Sequence, residues 1–179
     1  MAEHQLFAPE PLAPTHVTGA FACGDGSLDA WLRRRALDNQ ARHYSQTFVI
    51  ADETLRVVGY YALATGSIDR AAAPGALRRN APDPIPAMVL GRLGVDVAWR
   101  GRGLGRILVR DALLRCLRGS ADFAFAAIVV TPADDDARGF WTHWQFRPLP
   151  GDATAMHLPT TALADAAAKG ASGLGAIGG

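Results

Sequence analysis

Leu93-Gly94-Val95-Asp96-Val97-Ala98-Trp99-Arg100-Gly101-Arg102-Gly103-Leu104-Gly105-Arg106-Ile107 is the stretch from which the fold of this chain is read. Strand character runs from residue 87 to 97, and three alternating glycines follow. Leu104, Leu108, Ala112 and Cys116 then recur at helical spacing, with Ile107, Leu113, Leu114 and Leu117 widening the apolar stripe. The pattern predicts a strand, a glycine turn and a helix. At such a junction the first N–H groups of the helix have no internal partners and the helix dipole adds partial positive charge. Glycine lets a ligand approach the backbone and tolerates φ values at which N–H groups converge. The turn therefore predicts a phosphate cradle, with Arg100, Arg102 and Arg106 at its rim.

Other phosphate binders are disfavoured by spacing. A Walker A loop ends in Gly-Lys-Ser or Gly-Lys-Thr, whereas Gly105 is followed by Arg106-Ile107. The dinucleotide fingerprint needs G-x-G-x-x-G, and these glycines are spaced G-x-G-x-G. A glycine turn that serves only helix–sheet packing is the bland alternative.

Working outward, residues 6–12 read as an edge strand before the loop Gly24-Asp25-Gly26. Ser27 reads as the N-cap of a helix reaching Arg42, with Leu28, Trp31, Leu32 and Ala36 on its packing face. Residues 47–51 and 56–64 flank Asp52-Glu53-Thr54 as a hairpin. Residues 69–86, broken by five Pro and Gly positions, predict a long loop with one helical turn at 76–79. The apolar run 123–130 suits a central buried strand, which Thr131-Pro132 ends. Asp134, Asp135 and Asp136 suit the start of a helix running through Trp144. Short strands are expected at 146–149 and 155–158. No internal repeat or domain boundary is legible.

At 179 residues the chain is long enough for one real core without disulfides or metals. The N-terminus lacks the basic flank and apolar run of a signal peptide, no stretch approaches membrane-spanning length, and Cys23 and Cys116 form no disulfide framework. A cytoplasmic setting is expected. The net charge of +1 hides an asymmetry: residues 33–118 carry 15 Arg against 7 acids, and the remainder carries 3 bases against 10 acids. Arginine's planar fork suits phosphate, so this block predicts an anion-attracting face. With Lys169 as the only lysine, the same block also reads as compositional habit on a solvated surface.

Arg100-x-x-Gly103-x-Gly105 resembles the acetyl-coenzyme A pyrophosphate motif of the GNAT N-acetyltransferase superfamily. Phe21-x-Cys23-Gly24, Leu28-x-x-Trp31-Leu32, Asn39-Gln40, the run 58–63, Leu90-Gly91-Arg92-Leu93, Asp111-Ala112, Ala137-Arg138-x-Phe140 and Met156-His157-Leu158-Pro159 together resemble the GNAT toxins of bacterial type II toxin-antitoxin systems. The resemblance implies an α/β (α+β mixed) fold with a central twisted mixed sheet flanked by helices. It spans one domain over residues 1–160, followed by a flexible tail over 161–179. It implies acetyl-coenzyme A as co-substrate, held by Leu93, Val95, Asp96, Val97, Arg102, Gly103, Leu104, Gly105, Arg106, Thr131 and Phe140. The backbone of residues 95–97 would pair with the pantetheine arm like an added strand. It further implies acetylation of the amine of aminoacyl-tRNA, which blocks translation, a homodimer, and a ribbon-helix-helix antitoxin that covers the active site. Arg34, Arg35, Arg78, Arg79 and Arg92 are the expected RNA contacts.

The chemistry asks little of a base. An α-amine has a pKa near 8, against roughly 10.4 for lysine, so an appreciable fraction is already neutral at neutral pH. Positioning and backbone donors at the carbonyl can supply much of the catalysis. The chain departs from the family where a tyrosine serves as proton donor to the leaving sulfur, because that position is Trp141, whose indole N–H donates a hydrogen bond but not a proton. Water, Tyr60, Tyr61 or His143 are the alternative donors. The family's Gly-Phe is likewise changed to Gln145-Phe146. His4, His16, His43, His143 and His157 lack paired metal spacing and read as surface or structural histidines, so no metal is expected. An acetyltransferase for a small amine or a protein N-terminus, and a weakened coenzyme A-binding module acting through antitoxin association, stay open beside the toxin reading.

Overall fold

The computed structural model describes residues 4–171. Seven strands form one mixed sheet: β1 (Glu10–Pro11), β2 (Gln46–Ala51), β3 (Val57–Ile68), β4 (Ile85–Val95), β5 (Ala127–Val130), β6 (Arg147–Leu149) and β7 (Asp152–Pro159). Their order is β1-β2-β3-β4-β5-β7-β6, with β4 and β5 parallel and the β1–β2, β2–β3, β5–β7 and β6–β7 pairs antiparallel. Helices are α1 (Gly26–Arg34), α2 (Ala36–Ala41), α3 (Gly75–Arg78), α4 (Leu104–Gly119), α5 (Asp135–His143) and α6 (Leu163–Ala171). The expected mixed α/β architecture with helices beside a central sheet is present. The chain divides into two compact units, residues through Ala64 with Arg92–Asp111, and Thr65–Gly91 with residues from Ala112 on.

In the first unit, Asp25 rather than Ser27 caps α1, its carboxylate accepting from the N–H groups of Ser27 and Leu28. The helix breaks at Arg35 instead of continuing to Arg42, because Arg35 leaves helical geometry and Ala36 starts α2. Leu32, Ala36, Phe21, Val49, Val57 and Tyr60 are fully buried together, with Leu28 and Trp31 packed against them. The β2–β3 hairpin forms as its β-branched and aromatic residues predict. Asp52 shapes its turn by accepting from Thr54 N–H, Thr54 Oγ1 and Arg56 N–H.

In the second unit, a smaller core joins Ile68, Ala73, Ile85, Ala87, Ala127, Leu149 and Ala155. The expected strand at 123–130 is shortened to β5 because Phe123, next to the end of α4, is 75% exposed and the chain enters the sheet only at Ala127. Where a flexible tail was expected from residue 161, a 3-10 turn (Thr160–Ala162) leads into α6. Leu163, Ala166 and Ala167 are buried, and a Cβ at Gly170 would lie 1.9 Å from the Trp144 ring. Small side chains that look like low complexity are the ones that let this helix lie flat on an indole. The rest of the expected tail, 172–179, lies outside the described residues.

Candidate cofactor and acyl-transfer site

In the first unit the strand of the motif ends at Val95, two residues earlier than expected. Asp96 is the reason. It is 2% exposed, its Oδ1 accepts from Ala98 N–H at 2.9 Å and caps a 3-10 turn (Val97–Trp99), and its Oδ2 accepts from Ala22 N–H. Arg56 Nη2 lies 3.5 Å from the same carboxylate. The N–H groups of Asp96 and Val97 donate to Val58 and Ala22 carbonyls. Asp96 and Val97 therefore hold the loop in place, and the strand backbone that an extended ligand can pair with is that of Leu93 to Val95.

The glycine turn follows directly. Gly101 and Gly103 have φ of +75° and +78°, which an L side chain adopts only with strain, and an ideal Cβ at either would meet no atom within 4 Å. The space above the turn is thus open. The turn feeds α4, whose buried Leu104 and Leu108 anchor its first turns while Gly103, Gly105 and Arg106 stay partly exposed. Arg102 stacks over the Trp99 ring at 4.5 Å, which holds its guanidinium beside the turn. The Arg100 guanidinium donates to the Cys23 carbonyl, so Arg100 ties the loop down. The geometry fits a polyphosphate: open N–H groups at a helix start, no side chain in the way, and cations at the rim.

In the second unit β5 ends at Val130, leaving Thr131 exposed ahead of α5. Asp134 caps α5 by accepting from Ala137 N–H at 2.8 Å. Trp141, on the inner face of α5, is 7% exposed, with Phe140 and Phe146 ring centroids each 5.1 Å away in edge contacts. Gln145, where the family has glycine, sits at φ +71°, so the change from glycine puts a side chain into the left-handed region.

No protein-family model matches the chain. It is 44% identical over 151 residues, 84% of this chain and 89% of the relative, to a tRNA-acetylating toxin of Mycobacterium tuberculosis. The chain belongs to the GNAT toxins. Among solved structures, AtaT complexed with acetyl-methionyl-tRNAfMet matches with a TM-score of 0.82 at 24% identity, covering 89% of this chain and 98% of that one. A mutant AtaT toxin bound to the C-terminus of the antitoxin AtaR and acetyl-CoA matches with a TM-score of 0.75 at 23% identity, covering 89% and 96%. At these identities the two structures show a shared fold.

In this GNAT toxin the arginines singled out from sequence do not gather in one element. Arg34 ends α1 and Arg35 caps it, both exposed; Arg92 on β4, in the same unit, lies over the Trp31 ring at 4.7 Å. Arg78 and Arg79, at the end of α3 in the second unit, are exposed. Two alternative proton donors are tied up. Tyr60 is fully buried, its hydroxyl donates to the Leu28 carbonyl at 2.9 Å, and burial pushes its pKa well above the phenol range. Tyr61 is equally buried and donates to Asp111 at 2.6 Å. His143 is exposed in the last turn of α5. The tertiary structure also brings His4, Asp52 and Glu53 within 4.8 Å, a grouping invisible in the spacing. One Asp52 oxygen there already serves the hairpin turn, and His4 pairs with Glu53 at 2.8 Å. Of the histidines read as surface or structural, His157 is a structural one, 4% exposed on β7 with Nδ1 3.0 Å from the Arg147 carbonyl oxygen.

Proposed function

We propose that this chain is an acetyl-coenzyme A-dependent N-acetyltransferase, a toxin that acetylates the amine of aminoacyl-tRNA and so blocks translation. The observation that carries this is the open left-handed turn at Gly101 and Gly103, ahead of α4, in a chain 44% identical to a tRNA-acetylating toxin. When bound, acetyl-coenzyme A supplies an activated acetyl thioester.

The residues divide the work. N–H groups of Gly103, Leu104, Gly105 and Arg106 receive the pyrophosphate, with Arg102 held at the rim by Trp99. The backbone of Leu93 to Val95 receives the pantetheine arm as an added strand. Thr131 and Phe140 complete the proposed set of cofactor-contacting residues. Asp96 and Val97 support the β4 end through the hydrogen bonds described above. Arg34, Arg35, Arg78, Arg79 and Arg92 face the RNA. Trp141 packs against Phe140 and Phe146 and cannot give a proton, so the departing sulfur takes its proton from water.

The chain works in the cytoplasm as a homodimer and is neutralised by an antitoxin of ribbon-helix-helix type. No helix among the described residues is long and apolar enough to cross a membrane. The deciding experiment is transfer of label from acetyl-coenzyme A to a mixed aminoacyl-tRNA pool, with free amino acids and peptides in parallel. Labelled aminoacyl-tRNA supports the toxin; label only on small amines or peptides overturns the tRNA assignment.

A further inference from the structure

The N-terminal segment runs beside the β2–β3 turn, within the first unit. Phe7 N–H donates to the Ala51 carbonyl at 2.9 Å, and Leu6 bridges to Asp52 in antiparallel register. That pairing carries His4 to the turn itself, where its Nδ1 lies 2.8 Å from Glu53 Oε1. The imidazole also meets Trp99, with ring centroids 5.8 Å apart and planes at 59°. Trp99 is buried and gives the ring a fixed wall.

Asp52 adds a third group. It is 5% exposed, and the turn sets its carboxylate: Oδ1 accepts from Thr54 N–H at 2.9 Å, Thr54 Oγ1 at 2.7 Å and Arg56 N–H at 3.1 Å. Oδ2 takes no hydrogen bond among the described residues and is not among the enclosed polar atoms that lack one, so its lone pairs are open to a ligand. His4, Asp52 and Glu53 each offer one ligand atom, and these atoms lie within 4.8 Å of one another. A surface ion pair accounts for His4 and Glu53 but leaves the second oxygen of a buried carboxylate unmatched, an arrangement that costs free energy unless something pairs with it.

A metal ion supplies that partner. Two atoms bound about 2.0–2.2 Å from one ion stand about 3 Å apart, so the His4–Glu53 gap has to open by only a fraction of an ångström. Both side chains are exposed and free to make that adjustment. One imidazole and two carboxylates suit a divalent transition ion such as zinc, whereas magnesium and calcium favour oxygen ligands. The donors from Thr54 and Arg56 that orient Asp52 are the outer-shell support a metal ligand needs.

We propose that His4 Nδ1, Asp52 and Glu53 form a divalent metal site that takes zinc and clips the N-terminal segment to the β2–β3 turn. The ion replaces the proton shared between Nδ1 and Oε1, and Nε2 keeps its own. Water completes the coordination beyond the three protein ligands. Trp99 also carries the Arg102 guanidinium at 4.5 Å, so the clip braces the indole that holds this cation beside the glycine turn.

The test uses the full chain without an affinity tag, stripped with EDTA, then titrated with zinc by calorimetry and melted. One ion per chain should bind, and a hundredfold excess over Kd should raise the melting temperature by roughly 5–10 °C. His4→Ala and Glu53→Gln should each weaken zinc binding by about 10-fold or more. Their melting temperatures without zinc should stay close to wild type, because an exposed pair contributes little to stability. His16→Ala is the control: it removes the His16–Glu10 pair, 2.9 Å apart and without a third ligand among the described residues, and should leave zinc affinity as it is. No zinc binding by the wild-type chain, equal affinity for magnesium, or zinc affinity unchanged in both His4→Ala and Glu53→Gln overturns the site.

Discussion

Trp141 is where family likeness and residue chemistry part. Its indole fills a pocket between Phe140 and Phe146, a packing role that neither ionises nor delivers a proton. Trp141→Tyr returns an ionisable hydroxyl to that place while leaving the glycine turn and the β4 backbone untouched. The expected outcome is a rise in kcat of about 10-fold or more, with cofactor affinity unchanged because only the transition state gains. Steady-state kinetics with parallel calorimetry checks it, and a fall in kcat would show that the indole orients substrate. Gln145 offers a second test. Its φ of +71° costs an L residue about 1–2 kcal/mol, part of which glycine returns as lost chain entropy. Gln145→Gly should raise unfolding stability by about 0.5–1 kcal/mol in urea titration, without moving Trp141.

At the scale of elements, the glycine turn and α4 act as one device. Gly101 and Gly103 take left-handed φ values with open space above them, and α4, whose first N–H groups lack partners within the helix, begins directly after. Acetyl-coenzyme A, by binding only the native state, should raise the melting temperature. Gly103→Val should abolish that shift by filling the open space, and should itself lower the apo melting temperature because a β-branched residue is forced to φ +78°. A shift retained in this variant would place the cofactor elsewhere. The strand–turn–helix order was legible in the sequence because its cues are local: three glycines at fixed spacing, then apolar residues at helical period. The end of the strand was not. Val95 ends β4 because the buried Asp96 carboxylate collects donors from Ala22, 74 residues away, and from Ala98.

Over the whole molecule, the arginine excess between residues 33 and 118 reaches both compact units, with Arg34, Arg35 and Arg92 in one and Arg78 and Arg79 in the other. Binding of tRNA should weaken steeply as salt rises, because each neutralised phosphate releases counterions. Replacing Arg78, Arg79 and Arg92 together with Gln should flatten the log–log salt slope by about 2 to 3, with acetyl-coenzyme A binding unaffected. Filter binding across a salt series reads this, and an unchanged slope would assign those arginines to a plain solvated surface. By itself the sequence determined what depends on neighbours along the chain: the mixed strand and helix order, the glycine turn ahead of α4 and the β2–β3 hairpin. The tertiary structure alone decided what depends on residues far apart in sequence. It turned 163–171 into a helix by laying small side chains on Trp144, and took Tyr60 and Tyr61 out of use by burying their hydroxyls against Leu28 and Asp111. It also buried His157 on β7 opposite Val129 and Arg147, since strand register, unlike helical period, is written only in the pairing of distant segments.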